Sequence, residues 1–208
     1  MNILAIGAHF DDVELGCGGS LLTFKEQGHN ITIFTACLSG YRDAHGNVIR
    51  SNEMAFDEGI KAAKYLNARL ITGDFPTFEL EFAEPLNQKL ISVLQEIRPD
   101  MVLTHRTGDV HHDHRALSVV SMHCCRHIPR LLMYESNWYE SDEKFNPRFF
   151  VDISETLDHK LELIRIYQSE NTRTGGLWLD YVRTQARMMG LKAGVQYAEG
   201  FELLRWLM

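Results

Sequence analysis

Short apolar runs alternate with longer segments of helical period along most of the chain, and this alternation most limits how it can fold. Asn2–Gly7, Ile31–Ala36 and Met101–Thr104 are predicted as buried strands. Asn52–Leu66 and Pro85–Ile97, which lie between them, space their apolar residues as amphipathic helices do. Strands that alternate with helices in this way build a mostly parallel sheet covered by helices on both faces.

The remaining predicted elements continue this pattern without dividing the chain. Helices are predicted at Gly16–Gln27, from Asp113 to about Cys125, at Ser154–Tyr167 and at Thr174–Met189, and strands at Leu70–Thr72, Leu131–Tyr134 and Phe149–Val151. The length of 208 residues fits one domain with a sizeable core. No repeat, low-complexity segment or linker is evident, so we predict one Rossmann-like α/β domain over residues 1–208.

Charge and cysteine content narrow the class of protein. The chain has 21 Lys and Arg against 28 Asp and Glu, a net charge of −7, so bulk electrostatics favours neither nucleic acid nor an anionic membrane as a partner. The four cysteines form no C-x-x-C pair, and the apolar stretch Met1–Gly7 is too short for a secretory signal. A reduced, cytoplasmic location is therefore expected.

A histidine and two aspartates directly follow the first predicted strand. This loop reads A-H-F-D-D-V-E-L-G-C-G-G from Ala8 to Gly19, and uncompensated charge beside a buried strand is costly. His9 and Asp12 are three residues apart, so a tight turn can aim both at one point. Imidazole nitrogen and carboxylate oxygen together suit zinc, and also iron or manganese. Adjacent residues point in different directions, so one aspartate would be a ligand and the other would be free to act as a base.

Histidine is concentrated in the loop that follows the strand Met101–Thr104, where four of the ten lie between His105 and His114. His111 and His114 are three residues apart at a predicted helix start, which places them on one turn. One of them would complete a catalytic zinc site of three protein ligands and an open position. The other would act as an acid or stabilise an oxyanion. Asp113 is placed to accept the outer N–H of a metal-binding histidine.

These two loops are expected to meet in the folded protein. Both follow strands of the predicted parallel sheet, and open α/β sheets bind ligands beyond the carboxyl ends of their strands. Each cluster alone has a structural explanation, because a loop histidine is usually solvated and an aspartate before a helix is often an N-cap. Two such clusters at the ends of two strands of one sheet favour a metal site instead.

The glycines Gly16, Gly18 and Gly19 raise the alternative of a dinucleotide-binding loop. They lack the G-x-G-x-x-G spacing, and His-Phe-Asp-Asp occupies the turn directly after the strand. Close packing of the helix against the sheet explains these glycines better. The chain also has no G-x-S-x-G elbow, so nothing indicates a covalent serine nucleophile.

The two loops together resemble the motifs of the PIG-L/LmbE family of zinc-dependent N-deacetylases. The family patterns are A-H-P-D-D-x-x-L-G-x-G-G and, further along the chain, H-P-D-H; their counterparts here are Ala8–Gly19 and His111–His114. Weaker matches are Arg50 with Glu53, Val151–Ser154, Lys160 with Tyr167–Ser169, and Tyr197–Phe201. The resemblance therefore spans nearly the whole chain in order.

Matched position by position, the resemblance implies a role for each residue of the two loops. The zinc ligands would be His9, Asp12 and His114. Asp11 would be the general base and His111 the acid or oxyanion stabiliser. Arg50 resembles the family's substrate-contacting arginine, and its alternative is an ordinary surface residue at a helix start.

The same resemblance implies a reaction and its partners. The reaction would be hydrolysis of the N-acetyl, or another short N-acyl, amide of an amino sugar or its conjugate, giving a free amine and acetate. Zn²⁺, with Fe²⁺ or Mn²⁺ as alternatives, would activate the water, and Asp11 would take its proton. The substrate would be a small N-acyl amino sugar or glycoconjugate, and the chain would form a homo-oligomer, a trimer or hexamer.

The chain departs from the family patterns at Phe10 and His112, each of which replaces a proline. Proline fixes φ and stiffens a loop, so its loss could loosen both turns. Neither position supplies a ligand, and the chemistry is expected to be unchanged. A further expectation concerns the predicted loop Glu135–Arg148, whose Trp138, Tyr139 and Phe145 would form either a stacking wall for a sugar ring or an oligomer contact.

Three other functions remain open at this point. A nucleotide-binding module without catalysis would bind dinucleotide and no metal. A metal-binding or sensing protein would use the same ligands but tolerate the loss of Asp11, which makes no metal bond. A metal-dependent phosphoester hydrolase would usually require more carboxylates, to hold two metals about 4 Å apart.

Overall fold

The computed structural model describes all 208 residues, and these include nine strands and seven helices. In chain order these are β1 (Asn2–Gly7), α1 (Asp12–Glu26), β2 (Asn30–Cys37), β3 (Tyr41–Arg42), β4 (Val48–Arg50), α2 (Asn52–Tyr65), β5 (Arg69–Phe75), α3 (Glu84–Ile97), β6 (Met101–His105), α4 (His112–Cys124), β7 (Arg130–Tyr134), β8 (Phe149–Asp152), α5 (Leu157–Arg165), α6 (Gln168–Arg173), α7 (Leu177–Ala193) and β9 (Ala198–Trp206).

Seven of the strands form one sheet in the order β5-β2-β1-β6-β7-β9-β8, and β3 and β4 form a separate antiparallel hairpin. The first five strands of this order pair in parallel. The last strand of the chain, β9, runs antiparallel to both β7 and β8. The predicted mostly parallel, Rossmann-like sheet is therefore confirmed, with an antiparallel edge added to it.

Helices cover both faces of the sheet, as predicted. Successive side chains of a strand point to opposite faces, and β1 feeds both layers. Its Ile3 and Ala5 pack in the larger core with α1, α2, α5 and α7. Its Leu4 and Ile6 pack in the smaller core with α3 and α4. A strand that is apolar on both faces reads as a continuous apolar run, which is the signal that identified it in the sequence.

The bounds of three helices differ clearly from the prediction. Helix α7 is one of them, at Leu177–Ala193 rather than Thr174–Met189. Helix α1 begins at Asp12 rather than Gly16, and it is kinked at Cys17, whose φ of −144° and ψ of 15° are not helical. The predicted start therefore lies at the kink, where the second part of the helix begins. The single helix predicted for Ser154–Tyr167 is shorter, Leu157–Arg165, and the separate helix α6 follows it.

The topology brings the two predicted site loops together. Strand β1 lies between β2 and β6, and the strand order reverses at this point of the sheet. Ligands of open α/β sheets bind at such a switch point. The loop after β1 contacts the end of β6 directly, because the backbone N–H of Ala8 donates to Nε2 of His105 at 3.1 Å. No helix of the chain combines the length and the apolar character that crossing a bilayer requires.

Candidate metal and active site

Three side chains from the two loops bring donor atoms together at the carboxyl ends of β1 and β6. His9 Nδ1 lies 3.2 Å from His114 Nε2, and Asp12 Oδ1 lies 3.1 Å from that same nitrogen. The other oxygen, Asp12 Oδ2, is 3.3 Å from His9 Nδ1. A tetrahedral zinc site with bonds of about 2.0–2.1 Å separates its ligand atoms by about 3.3 Å. Each pair of these residues therefore has two donor atoms at about that spacing, with a different oxygen of Asp12 toward each histidine.

The outer nitrogen of each histidine is held by a second carboxylate. His9 Nε2 donates to Asp113 Oδ2 at 2.9 Å, and His114 Nδ1 donates to Asp109 Oδ2 at 2.9 Å. Hydrogen bonds of this kind fix the tautomer and leave the inner nitrogen with its lone pair. Two such lone pairs and a carboxylate oxygen facing one another form an electron-rich centre that a cation would stabilise. The residues present therefore fit a metal ion.

The protonation of these histidines also indicates a site for positive charge. Burial lowers the pKa of His9, but hydrogen bonds to Asp113 and Asp12 outweigh it and raise that pKa well above its ordinary value. For His114 burial again lowers the pKa, while the charge of Asp12 and the hydrogen bond to Asp109 raise it to about 9. The pocket thus attracts a cation, either protons or a metal that displaces them.

Asp109 and His105 belong to the site although they were not singled out from the sequence. Asp109 is buried, and it also accepts from the amide of Asn137 and the backbone N–H of His111. His105 is fully buried, with its ring stacked 4.0 Å from that of His114 and its Nε2 3.2 Å from Asp12 Oδ2. Both lie in the histidine-rich segment His105–His114, which was the available signal, but spacing in sequence does not give their positions in space.

Asp11 lies beside the donor cluster without being part of it. It caps the start of α1 with a φ of 118°, and its buried carboxylate accepts a hydrogen bond from Arg50 at 2.9 Å. Burial raises the pKa of Asp11 to about 8, and the charge of Arg50 opposes that rise. The structure therefore brings this carboxylate into the same cavity as His9 and Asp12 while a guanidinium holds it in place.

Arg50 is buried rather than exposed at a helix start. Besides Asp11, it donates to the carbonyl oxygen of Phe10 at 3.1 Å and to Glu58 at 3.0 Å. Its guanidinium carbon lies 5.7 Å from the centre of the Tyr167 ring. It also lines the cavity, so the structure gives it two functions to serve: an ion pair with Asp11 and a position within reach of a ligand.

His111 caps helix α4 and is held as a neutral ring. Its Nδ1 accepts a hydrogen bond from the backbone N–H of Asp113 at 3.2 Å. Burial and the charges of His114 and His9 lower the pKa of His111 to about 4. With Nδ1 occupied as an acceptor, Nε2 carries the proton. This side chain can therefore donate a hydrogen bond into the cavity, and near neutral pH it has no second proton to transfer.

A cavity of about 240 Å³ opens over these groups. Its lining includes the polar side chains of the site and five aromatic side chains, namely Tyr41, Phe78, Trp138, Tyr139 and Trp178. Trp138 and Tyr139 were expected to form a wall, and they do line the cavity. Phe145, from the same predicted wall, instead lies under the guanidinium of Arg106, 5.6 Å from its carbon.

The backbone and the ring of Phe10 both make contacts that hold its turn in place. Its backbone N–H, which a proline would lack, donates to Ser39 Oγ at 2.9 Å. Its buried ring packs against α2 at Gly59, where a Cβ would come within 2.2 Å of the ring, and beside Phe56. These contacts hold the turn at the position where the family pattern has a proline. His112, the other replacement, is exposed to solvent.

The chain is similar to known proteins in both sequence and structure. Residues 4–125, more than half of the chain, match the PIG-L family model, described as GlcNAc-PI de-N-acetylase. The uncharacterized deacetylase YaiS of Escherichia coli (strain K12) is 34% identical over 169 residues, 74% of this chain and 82% of that protein. Diacetylchitobiose deacetylase of Thermococcus kodakarensis is 24% identical over 225 residues, 97% of this chain and 82% of that protein. The crystal structure of the conserved protein TT1542 from Thermus thermophilus superimposes with a TM-score of 0.81 at 27% identity, covering 100% of this chain and 96% of that one.

Proposed function

The chain belongs to the PIG-L family, and from that premise we propose that it hydrolyses the N-acetyl, or another short N-acyl, amide of an amino sugar or its conjugate. The names of the matching family and of the Thermococcus kodakarensis relative both refer to deacetylation of acetylated amino sugars. The observation that carries the proposal is the placement of Asp11. It lies in the same cavity as His9, Asp12 and His114 but pairs with Arg50 and not with those three residues.

His9, Asp12 and His114 would hold one divalent ion, Zn²⁺ or alternatively Fe²⁺ or Mn²⁺. When bound, such an ion supplies Lewis acidity, which polarises the amide carbonyl and makes a nearby water easier to deprotonate. Asp113 and Asp109 would keep the inner nitrogen of each histidine free for the ion, because they accept the hydrogen bonds of the outer nitrogens.

Asp11 would act as the general base. Its carboxylate takes a proton from the water as the water oxygen forms a bond to the carbonyl carbon. The same carboxyl group then returns that proton to the nitrogen as the C–N bond breaks, which releases a free amine and acetate. Arg50 favours the ionised form of Asp11 against the cost of burying it, because its charge lowers the pKa of that carboxyl.

His111 would stabilise the oxyanion rather than donate a proton. It lines the cavity as a neutral ring whose N–H is on Nε2, since Nδ1 accepts from the backbone. A fixed N–H aimed at the carbonyl oxygen gains strength as negative charge develops there. Of the two roles that the sequence left open for His111, the neutral ring supports this one.

Trp138 and Tyr139 would bind the sugar. Both line the cavity, and aromatic rings offer large apolar faces to the C–H face of a pyranose. The substrate would thus be a small molecule, with neither nucleic acid nor membrane as a partner. Assembly into a trimer or hexamer stays a prediction, which a mass measurement by light scattering in solution would test.

The first experiment compares the protein with its Asp11→Asn variant. Each would be analysed for bound metal and assayed for acetate and amine release from N-acetylhexosamines and their nucleotide and thiol conjugates. Both proteins should hold about one metal ion per chain, while kcat of the variant should fall by about 10²–10⁴-fold. Asp74→Asn is the matched control, because Asp74 also has a positive φ, 60°, but is exposed and lies outside the cavity.

Three outcomes contradict the proposal. A folded protein that takes up no divalent metal has no site of the kind described. Full turnover by Asp11→Asn means that another group accepts the proton. Metal binding without turnover of any amide would instead favour a sensor or hydrolysis of another bond.

A further inference from the structure

A column of five rings runs from the core of the protein to the rim of the cavity. The ring of Tyr134 is 4.9 Å from His105, and His105 is stacked 4.0 Å from His114. His114 is stacked 4.5 Å from His111, and His111 lies 5.6 Å from Phe78 with the two ring planes 30° apart. Phe78 is thus the outermost member of the column. His111 is therefore bordered by His114, by Phe78 and by the ring of His9, which lies edge-on 4.8 Å away.

Phe78 holds this position with an unfavourable backbone. Its φ is +69°, in the left-handed region that bulky residues rarely adopt. Burial does not compensate, because 55% of its surface is exposed. Strained residues of this kind persist where the surrounding structure holds them, and they concentrate at functional sites.

Asp113 holds Phe78 in this conformation. The backbone N–H of Phe78 donates to Asp113 Oδ2 at 2.7 Å, and that of Leu80 donates to Oδ1 at 3.1 Å. The same Oδ2 accepts from His9 Nε2, and Asp113 N–H donates to His111. One carboxylate residue therefore ties the strained turn to both histidines.

We propose that Phe78 is a positioning residue for His111. Its ring, together with those of His114 and His9, confines the imidazole, which then keeps its Nε2–H in the orientation that the oxyanion requires. The proposal rests on the proposed function only for what His111 does in the reaction. The placement of the imidazole is a separate, structural claim about the protein.

The test uses substitutions that relieve the backbone strain and remove the ring. Phe78→Gly and Phe78→Asn both tolerate positive φ, so the melting temperature should stay unchanged or rise by about 1–3 °C. At the same time kcat should fall about tenfold, while KM should stay within about twofold of that of the unsubstituted protein. The substitution removes the ring that positions a catalytic group but leaves substrate binding intact. Phe78→Tyr, which keeps the ring, should retain kcat.

Phe82 provides the matched control. It has the same 55% exposure and its ring also lies against a histidine, 5.7 Å from His123, but it does not line the cavity. Phe82→Gly should leave kcat and KM unchanged. In the His111→Ala background, Phe78→Gly should cause no further loss of kcat, since the group that it positions is already gone.

Structures of the metal-loaded Phe78→Gly variant and the unsubstituted protein give a readout that needs no turnover. The His111 ring should adopt more than one orientation in the variant and a single one in the unsubstituted protein. Three results overturn the proposal: an unchanged imidazole, a rise in KM at constant kcat, which would make Phe78 a substrate contact, and additive losses with His111→Ala. If the protein hydrolyses no amide, the proposed function fails, and the structures still decide whether Phe78 orders His111.

Discussion

Asp11 has three features that each lower the stability of the folded protein: a positive φ, a buried carboxylate and a neighbouring acid, Asp12. A residue in a sparsely populated backbone region costs about 1–3 kcal/mol. Arg50 offsets part of this cost, because it pairs with Asp11 and donates to the carbonyl oxygen of Phe10 in the same turn. The arginine therefore determines both the position and the charge of the proposed base.

The first prediction concerns Arg50→Met. The charge of Arg50 lowers the pKa of Asp11, so its removal should raise that pKa. A general base works only when deprotonated, and the acidic limb of the kcat/KM profile should therefore move to higher pH. Activity should fall more at pH 7 than at pH 9. Arg50→Lys, which keeps the positive charge, should shift the limb less.

Arg42→Met serves as the control for this profile. Arg42 lies on the same hairpin but is exposed and donates to the carbonyl oxygen of Gly46. Its removal should leave the acidic limb where it is. An Arg50→Met profile that superimposes on that of the unsubstituted protein would show that Asp11 does not titrate in the limb that limits the rate.

At this scale the sequence predicted which residues gather at the site better than it predicted their surroundings. His9, Asp12 and His114 converge as the motifs indicated. Asp109 was not identified, because a carboxylate that orients a histidine has no required spacing from it. The ion pair of Arg50 with Asp11 was missed for a related reason, since it depends on how a distant hairpin packs.

Helix α1, which follows the first site loop, is kinked at Cys17. Two side chains that are distant in sequence form hydrogen bonds to its backbone beside the kink. Lys160 Nζ donates to the carbonyl oxygen of Leu15 at 2.7 Å, on one side of the kink. On the other side, Glu199 accepts from the backbone N–H groups of Gly19 at 2.9 Å and Ser20 at 2.7 Å. Lys160 and Glu199 are buried and pair with each other at 2.5 Å. They replace the hydrogen bonds that the kink removes.

The second prediction is that Lys160→Met destabilises the protein strongly. Removing one partner of a buried pair leaves an uncompensated charge, at a cost of about 3–5 kcal/mol. Here the charge is that of Glu199, and the carbonyl oxygen of Leu15 also loses its donor. Urea denaturation would measure the loss. The double variant Lys160→Met/Glu199→Gln should recover part of it, because the charge is then removed as well.

An exposed pair offers the comparison for Lys160→Met. Arg69 and Glu96 form an ion pair with exposed fractions of 54% and 52%, and such pairs contribute about 0.2–1 kcal/mol. Arg69→Met should therefore lower the free energy of unfolding by less than about 1 kcal/mol. Similar losses for Arg69→Met and Lys160→Met would mean that the kink does not depend on the buried pair.

Among the elements, those with strong local signals were predicted and those that depend on tertiary pairing were not. Strand β1 is apolar on both faces and was located at its observed bounds. Strand β9 was missed, because charged residues interrupt its apolar pattern and its conformation depends on pairing with β7 and β8. The hairpin of β3 and β4 is two to three residues per strand, too short for a period to appear.

Across the whole molecule, the proposed metal would join parts of the chain that are far apart in sequence. His9 and Asp12 follow β1, whereas His114 lies in α4 after β6. These strands are adjacent in the sheet at the point where its order reverses. An ion bound there adds a cross-link between the two halves of the sheet, and the unfolded chain lacks that site.

The last prediction follows from this cross-link: chelation should lower the melting temperature. A ligand at about 1,000 times its Kd stabilises the folded state by about 4 kcal/mol, which for a chain of this length is about 10 °C. The stabilisation by metal should depend on pH.

The pKa of His114 is raised to about 9 and that of His9 also lies well above its ordinary value, so without metal both histidines bind protons near neutral pH. Protons then stabilise the metal-free fold as pH falls, and the metal must displace them. The difference between metal-loaded and chelated protein should therefore be larger at pH 8 than at pH 6 in a calorimetric scan. An Asp12→Ala variant should lose most of this response, and an equal response in that variant would place the metal elsewhere in the molecule.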